Sequence, residues 1–491
     1  MVAKSEGLLD FSVQILHKSL DARKKSNIHW LAQLCILSPE IKSEPLVSQP
    51  LLQIPYRKRT AKALVVGSGP AGFFAALVLQ KAGLATTLIE RGAEVGKRDQ
   101  RIKVFEKSGV FDPLGNYAFG EGGAGTFSDG KLTSRTKNIS QEKAFILDSY
   151  VQAGAPPEIR YLAHPHLGSD NLQKIVSNLR KEFIRLGGSV RFETMLVDLE
   201  IAKGRVVSAQ TDQGTIDADY FVIAPGHSAH ETYRMLIDKG VEFRTKNFAI
   251  GCRVEHPQAL INLAQWGREE LPGVKAAEYR LTSKGDGKLP VYTFCMCPGG
   301  VVVPATAYAD TNIVNGMSLY QRDGEFANAA CVAGLNLQQL LGRDITALEA
   351  LDWLGALEQD FYRFGQGYQA PYCQIDDFIH GREPTGHVQS SYPLGLVPAP
   401  LWSMLPRAVS ASLREGLKEF SRKIRGFETG IIMGLESKTS APIQVVRQTS
   451  GLCGGFDNLY LVGEGSGYAG GIISSGTNGI KAAMHIIQTC S

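Results

Sequence analysis

The run Gly67-Ser68-Gly69-Pro70-Ala71-Gly72 has the spacing of a phosphate-cradling turn, and Glu90 stands about 20 residues further on. In such a turn Gly67 permits the tight bend, Gly69 lets backbone N–H groups approach a pyrophosphate at a helix N-terminus, and Gly72 allows helix and strand to pack closely. Glu90 can then accept hydrogen bonds from ribose hydroxyls. The flanking patterns agree. Ala63-Leu64-Val65-Val66 reads as a buried strand, 71–82 as an apolar helix and 86–90 as a second strand, which together make a βαβ unit. Strand, helix and acid in register point to dinucleotide binding, with a tight turn that binds nothing as the alternative.

Glycine accounts for 53 of the 491 residues, about a tenth against a usual share of roughly 7%. Six of the sixteen residues 115–130 are glycine, as are ten of the 29 in 451–479, so backbone passes close to something in both places or takes positive φ. The second cluster holds Leu459-Tyr460-Leu461-Val462-Gly463-Glu464-Gly465-Ser466-Gly467-Tyr468-Ala469-Gly470-Gly471, another strand, acid and glycine signal about 390 residues after the first. It resembles the C-terminal flavin motif of two-domain FAD enzymes of the glutathione-reductase and hydroxybenzoate-hydroxylase kind. The resemblance implies that Glu464 serves the ribityl and pyrophosphate region. It also implies that the helix beginning near Gly471 points its positive end at the flavin.

Two further segments fit that pattern. Val222-Ile223-Ala224-Pro225-Gly226-His227-Ser228 resembles the Ala-Thr-Gly strand that closes the FAD domain in these enzymes. Pro225 stands in the Thr position, so a hydroxyl role is lost while Gly226 still admits backbone near the cofactor. The loop Gly120-Glu121-Gly122-Gly123-Ala124-Gly125-Thr126-Phe127-Ser128-Asp129-Gly130-Lys131 can present consecutive N–H groups to a phosphate or to the flavin ring edge.

With Phe248-Ala249-Ile250-Gly251-Cys252-Arg253-Val254-Glu255-His256-Pro257, Cys295-Met296-Cys297-Pro298-Gly299-Gly300, Glu436-Ser437-Lys438-Thr439-Ser440-Ala441-Pro442 and Ser19-Leu20-Asp21-Ala22-Arg23-Lys24-Lys25, these motifs look like the bacterial family of uncharacterised FAD-dependent, NAD(FAD)-utilising dehydrogenases over most of the chain. The resemblance implies an α/β fold: a Rossmann-type, glutathione-reductase-like FAD-binding domain with an inserted α+β substrate domain and a small N-terminal module. The expected divisions are 1–55 for the module, 60–236 and 425–491 for the FAD-binding domain, and 237–424 for the insertion. FAD is the implied cofactor, held by Gly67, Gly69, Pro70, Ala71, Gly72, Glu90, Arg91, Arg98, Gly123, Ala124, Gly125, Thr126, Gly226, Gly463, Glu464, Gly470, Gly471 and Ile472. One departure is Gly476-Thr477-Asn478-Gly479, where the family usually carries an acid before the last glycine. Asn478 can hydrogen-bond there but supplies no charge.

The remaining elements must position these loops. Phe11-Val13-Ile15 and Trp30-Ala32-Leu34-Ile36 alternate as strands of a small module around the basic turn 21–25, and a Pro-bearing connector, 43–55, follows. Residues 188–226 read as a β-meander ending in a hydrophobic strand. From 237 to 440 strands mix with amphipathic helices, one of which puts Leu413, Leu417, Phe420 and Ile424 on a single face.

Composition bounds the answer. With 44% hydrophobic and 20% charged residues the chain is globular, and its length suggests about three units. No stretch approaches roughly 18 consecutive apolar residues, and Lys4, Glu6 and Asp10 occupy the place of a signal peptide's apolar segment, so a cytoplasmic, non-spanning protein is expected. Eight Cys with no Cys-x-x-Cys pair make neither a disulfide framework nor a zinc site. The net charge of +4 sits in the first 60 residues, nine Lys/Arg against five Asp/Glu, and the rest is balanced. No broad basic footprint for nucleic acid is left, and Arg57-Lys58-Arg59 reads as a solvated linker rather than an RNA or partner contact.

In such a protein the flavin supplies the redox chemistry and the chain supplies orientation, electrostatics and a dry pocket. No catalytic side chain is assigned. Cys295 and Cys297 are either a redox pair or a turn, His164 and His166 a proton-donor pair or loop residues. Arg98 and Lys131 either meet the pyrophosphate or flavin charge or lie on the surface. Arg253 and Glu255, two apart on one strand, either line the substrate cavity or pair with each other. The expected reaction is hydride transfer between an organic small molecule and flavin N5. Only one complete dinucleotide fingerprint exists, so NAD(P)H is expected at most as a transient donor, with another protein or the substrate itself as the other electron sources. The alternatives are an NAD(P)H-fed flavin reductase of an unsaturated substrate and a non-turnover redox sensor associated with RNA or protein.

Overall fold

The computed structural model describes residues 7–41, 51–384 and 388–490. Lys4 and Glu6, and the connector up to residue 50, lie outside the described residues. Strands Leu459–Leu461, Tyr220–Ile223, Lys62–Val66, Ala85–Ile89 and Ser189–Arg191 form, in that order, a five-stranded sheet whose pairs are all parallel. A parallel sheet needs cover on both faces. Along Lys62–Val66 the alternation sends Ala63 and Val65 into one core and Leu64 and Val66 into another. The first core lies under helices Pro70–Lys81 and Gly471–Thr489. The second is closed by the antiparallel meander Leu196–Ala202, Arg205–Thr211 and Gly214–Asp217, which contributes Leu199, Val206 and Ala209. Helix Pro70–Lys81 is buried without a break from Ala71 to Leu79, so it has no solvent face and sits between sheet and neighbouring helices.

The second unit is a seven-stranded sheet in the order Thr282–Ser283, Val291–Cys297, Phe326–Leu335, Phe248–Pro257, Ile431–Glu436, Ala370–Gln374, Leu396–Pro398, antiparallel except for the last pair. Leu413, Leu417, Phe420 and Ile424 of the amphipathic helix Arg407–Lys423 and its C-cap are buried in this unit's core. One boundary is corrected. The segment from 425 does not return directly to the first unit, because Ile431–Glu436 pairs with Phe248–Pro257 at Glu255–Ile431, Val254–Ile432 and Arg253–Met433. The return comes after that strand has completed the second sheet.

The two alternating N-terminal runs fall in an antiparallel hairpin, Ser12–Asp21 with His29–Leu37. Lys18 ties it to the rest: its N–H donates to the Tyr161 carbonyl, and its own carbonyl accepts from Ala163 N–H. Among the described residues no helix is long and apolar enough to cross a membrane.

Candidate functional site

Three loops meet at the carboxyl end of the parallel sheet. After strand Lys62–Val66 the chain turns at Gly67, whose φ of +97° and closeness to the Ala224 carbonyl, 2.2 Å from where a Cβ would sit, exclude a side chain. A Cβ on Gly72 would lie 1.9 Å from the Gly67 carbonyl oxygen. Gly69 is different: it is extended, caps helix Pro70–Lys81 without a side-chain hydrogen bond, and a Cβ there would meet only Gly123 Cα, at 3.7 Å. Gly123, at φ +67°, brings the 120–131 loop against the turn, and the short 3-10 segment Ala124–Phe127 follows. A Cβ on Gly125 would stand 3.4 Å from Ile472, and one on Gly463 2.6 Å from the Ala71 Cβ.

The N-terminal turn and the C-terminal motif are therefore in van der Waals contact. Helix Gly471–Thr489 begins at Gly470, again with no side-chain cap, and both Gly470 and Gly471 face open space. Two long helices thus leave their first N–H groups without side-chain caps beside one another, each with the positive end of its dipole at the cleft. The turn at Gly226 completes the rim, with its carbonyl accepting from the Tyr233 hydroxyl at 2.7 Å and open space where its own Cβ would be.

The two acids differ in what they have left to give. Glu90 is buried, and both oxygens are already used: Oε2 accepts from Ser68 N–H and Oγ at 2.9 and 2.8 Å, Oε1 from Gly92 and Gly120 N–H at 2.9 and 3.1 Å. These four bonds fasten three loops together. The Glu464 carboxyl accepts no hydrogen bond from the described residues, although its backbone carbonyl accepts from Gly467 N–H at 3.0 Å. Desolvation pushes its carboxyl up to about 7, partly offset by the nearby Lys246 charge. This is the acceptor that remains for a polyol or a protonated oxygen.

The basic candidates are likewise engaged by the protein itself. Arg98 is fully buried and spends its guanidinium on the carbonyls of Asn116, Tyr117, Glu121 and Gly123, so it shapes the glycine loop from behind. Burial brings it down to about 10. Arg91 stacks on Phe119, 3.9 Å from the ring centre, and pairs with Glu231 at 2.5 Å. Lys131 pairs with Asp129 at 2.7 Å and donates to the Met296 carbonyl. Thr126 Oγ donates inward to the Glu121 carbonyl at 3.1 Å. Arg57 and Arg59 donate to the carbonyls of Cys490 and Ala82, which makes them anchors of the chain rather than a free patch.

Arg253 and Glu255 do not pair with each other. Arg253 bonds Glu436 at 2.7 Å, and Glu255 bonds Ser391. His164 bonds Glu278 at 2.7 Å, and His166 bonds the Tyr320 carbonyl at 3.1 Å, so the two imidazoles serve different partners. Asn478 accepts from Gly463 N–H at 2.9 Å and from Arg447 at 3.1 Å, and a neutral amide thereby fills the acid's usual place.

Spacing gave no signal for two other groups. Asp129 accepts two bonds from Arg322, at 2.9 and 2.6 Å, and so clasps the glycine loop to the second unit across 193 positions. His227 and His230, just past the Gly226 turn, keep buried Nε2 atoms with no hydrogen-bond partner. Burial and the Lys438 charge hold both neutral, His227 down to about 3.

A family model described as "FAD binding domain" matches residues 60–233, and one described as "FAD-dependent protein, C-terminal domain-like" matches residues 247–439. Neither description names the glutathione-reductase subtype. An uncharacterised protein of Clostridium beijerinckii is 39% identical over 499 residues, covering 97% of this chain and 92% of that one. Among solved structures, a flavoprotein/dehydrogenase from Cytophaga hutchinsonii is 13% identical, with 87% of this chain and 78% of that one covered, at a TM-score of 0.39. A geranylgeranyl bacteriochlorophyll reductase-like protein from Thermoplasma acidophilum is 14% identical, with 87% and 79% covered, at a TM-score of 0.37.

Proposed function

The chain belongs to a family of FAD-dependent oxidoreductases, with FAD as its cofactor, and from that premise we propose that it is a dehydrogenase, moving hydride between an organic small molecule and flavin N5. The observation that carries this reading is the meeting of two uncapped helix N-termini, at Gly69 and at Gly470, with the 120–131 loop between them. The residues present fit FAD. Open space at Gly226, Gly470 and Gly471, and at Gly69 apart from Gly123 Cα at 3.7 Å, is a cradle that Cβ atoms would fill. Uncapped N–H groups suit a pyrophosphate, and Glu464 is an unused acceptor.

Bound FAD supplies two-electron chemistry, and the chain's contribution is positional and electrostatic. Helix Gly471–Thr489, with its uncapped N-terminus at the cleft, would favour negative charge on a flavin held there. Arg98, from behind, fixes the Glu121 and Gly123 carbonyls and so the shape of the glycine loop. His227 and His230, neutral and with Nε2 unpaired, are groups beside the Gly226 turn able to hold or hand on a proton. Glu464, with its carboxyl near 7, is poised between its two protonation states at neutral pH.

Anaerobic mixing of the yellow holoprotein with NADH, with NADPH and with a panel of alcohols, hydroxy acids, amines and amino acids tests the reading through loss of flavin absorbance. One organic class is expected to bleach the flavin at least about tenfold faster than either nicotinamide. Bleaching by a nicotinamide alone would replace the dehydrogenase with a reductase. No bleaching by any donor, together with partner capture that depends on flavin redox state, would replace it with a sensor.

A further inference from the structure

Strand Val291–Cys297 pairs with Phe326–Leu335 as far as Phe294–Ala330 and resumes at Cys297–Asn328, so one extra residue is inserted between them. The insertion is a β-bulge, a device that re-aims a side chain. Cys295 lies in it at φ +45°, left-handed backbone on a residue that is not glycine. The bulge folds the second cysteine back on the first: Cys297 Sγ donates to the Cys295 carbonyl at 3.3 Å.

Two cations converge there. Fully buried Arg253 holds the bulge through one nitrogen, 2.7 Å from the Cys295 carbonyl and 3.6 Å from Cys297 Sγ, while its other nitrogens bind Asn328, Asn315 and Glu436. Lys131, from the glycine loop of the first unit, donates to the Met296 carbonyl between the cysteines. Cys295 is partly exposed beside Phe294, a large apolar side chain that is 44% exposed, whereas Cys297 is buried. An accessible thiol backed by a buried one, with positive charge on both sides, is an arrangement for attack and resolution.

We propose that Cys295 and Cys297 are a thiol–disulfide exchange couple, Cys295 attacking and Cys297 resolving, that takes a disulfide as its substrate at the junction of the two units. Cys295 thiolate attacks one sulfur of a disulfide RSSR; that S–S bond breaks and one RS⁻ leaves. Cys297 gives its proton to solvent and attacks Cys295 Sγ; the second RS⁻ leaves as the Cys295–Cys297 bond forms. The two protein thiols lose two electrons and RSSR gains them. The couple is separate from the hydride reading, and its test does not use flavin reduction.

The Cys297 hydrogen bond, with the Lys131 and Arg253 charges, lowers Cys295 to about 6 against desolvation and the opposing Asp129 charge. Cys297 is pushed well up by its Cys295 neighbour and by burial. Alkylation of Cys295 in the holoprotein by iodoacetamide, followed by peptide mass, is expected to be half-maximal near pH 6. Buried Cys331, Cys373 and Cys453, each pushed up to about 12, are expected to stay unlabelled. With oxidised glutathione the wild type is expected to end with a Cys295–Cys297 bridge. Cys297→Ala and Cys297→Ser should stop at a stable glutathione adduct on Cys295, and Cys295→Ala should give neither. A half-maximum above pH 8 would overturn the proposal. So would a wild type that keeps the adduct without closing the bridge, or Cys297 variants of unchanged Tm that form none.

Discussion

Replacing Asp129 by alanine is expected to lower stability by about 3 kcal/mol, because it takes the bidentate partner from the buried Arg322 guanidinium, leaving only Glu278 at 3.7 Å, and the ion-pair partner from the half-buried Lys131. The side chain of Asp129 is 1% exposed and that of Arg322 7%. The carboxylate takes Arg322 Nε and Nη2 and Lys131 Nζ. Since Asp129 belongs to the glycine loop and Arg322 to the connection between the second unit's strands, the loss falls on the junction that shapes the site. The pH dependence has a definite sign. Burial pushes the Asp129 carboxyl up, and the Lys131 and Arg322 charges overcome that, leaving it well below the usual carboxylate range. A depressed folded-state value means that its stabilisation is complete above about pH 4 and lost as pH falls further towards the folded value. Denaturant unfolding at pH 7 should show the full deficit in Asp129→Ala and a smaller one in Asp129→Asn, which keeps the shape. Below pH 4 the gap to wild type should narrow. Equal stability of wild type and Asp129→Ala at pH 7 would remove the clasp from the account.

Gly479→Ala should cost about 3 kcal/mol and release the cofactor, although it adds one methyl group. A Cβ at Gly479 would lie 1.9 Å from the Ala71 carbonyl oxygen and 2.8 Å from its carbon, both backbone atoms of helix Pro70–Lys81. Helices Pro70–Lys81 and Gly471–Thr489 must then separate, and their N-termini are the two ends that form the cradle. Gly355→Ala is the matched control. It lies within helix Ala347–Phe364 with nothing within 4 Å of its added Cβ, and should stabilise by about 0.5–1 kcal/mol with FAD retained. Thermal unfolding and FAD release on the same samples separate the two outcomes. A Gly479→Ala protein with wild-type Tm and full FAD content would show that the helices need not cross so closely.

What the sequence displayed was local. The turn 67–72 and the strands on either side are short-range patterns of glycine and alternating burial, and the structure builds them as spaced. Leu413, Leu417, Phe420 and Ile424 lay on one face by periodicity alone. Partner choice was hidden. Arg253 and Glu255 are two apart on one strand, yet Arg253 reaches Glu436 on the adjacent strand and Glu255 reaches Ser391, because cross-strand geometry outranks sequence proximity. Arg98 was visible as a cation beside a glycine loop, but nothing in its spacing told that it would be buried among four carbonyls. Glu90 and Glu464 looked alike as acids after strands. Only the loop N–H groups, gathered from Ser68, Gly92 and Gly120, separate a saturated carboxylate from a free one. The N-terminal hairpin was legible as two strands, while its exposed Phe11, Val13, Trp30 and Leu34 follow from having no second sheet to pack upon.

Two segments about 390 residues apart are expected to close on one FAD molecule. Counting FAD per chain in desalted wild type, Gly69→Val and Glu464→Lys tests it most directly. Gly69 is extended and its Cβ meets no protein atom closer than 3.7 Å, so valine should fold normally and intrude only on the ligand. Both variants are expected to keep wild-type far-UV circular dichroism while FAD content falls below about a tenth of wild type, a loss of about 1.4 kcal/mol or more in binding. Folded samples of both that retain one FAD per chain would contradict the account.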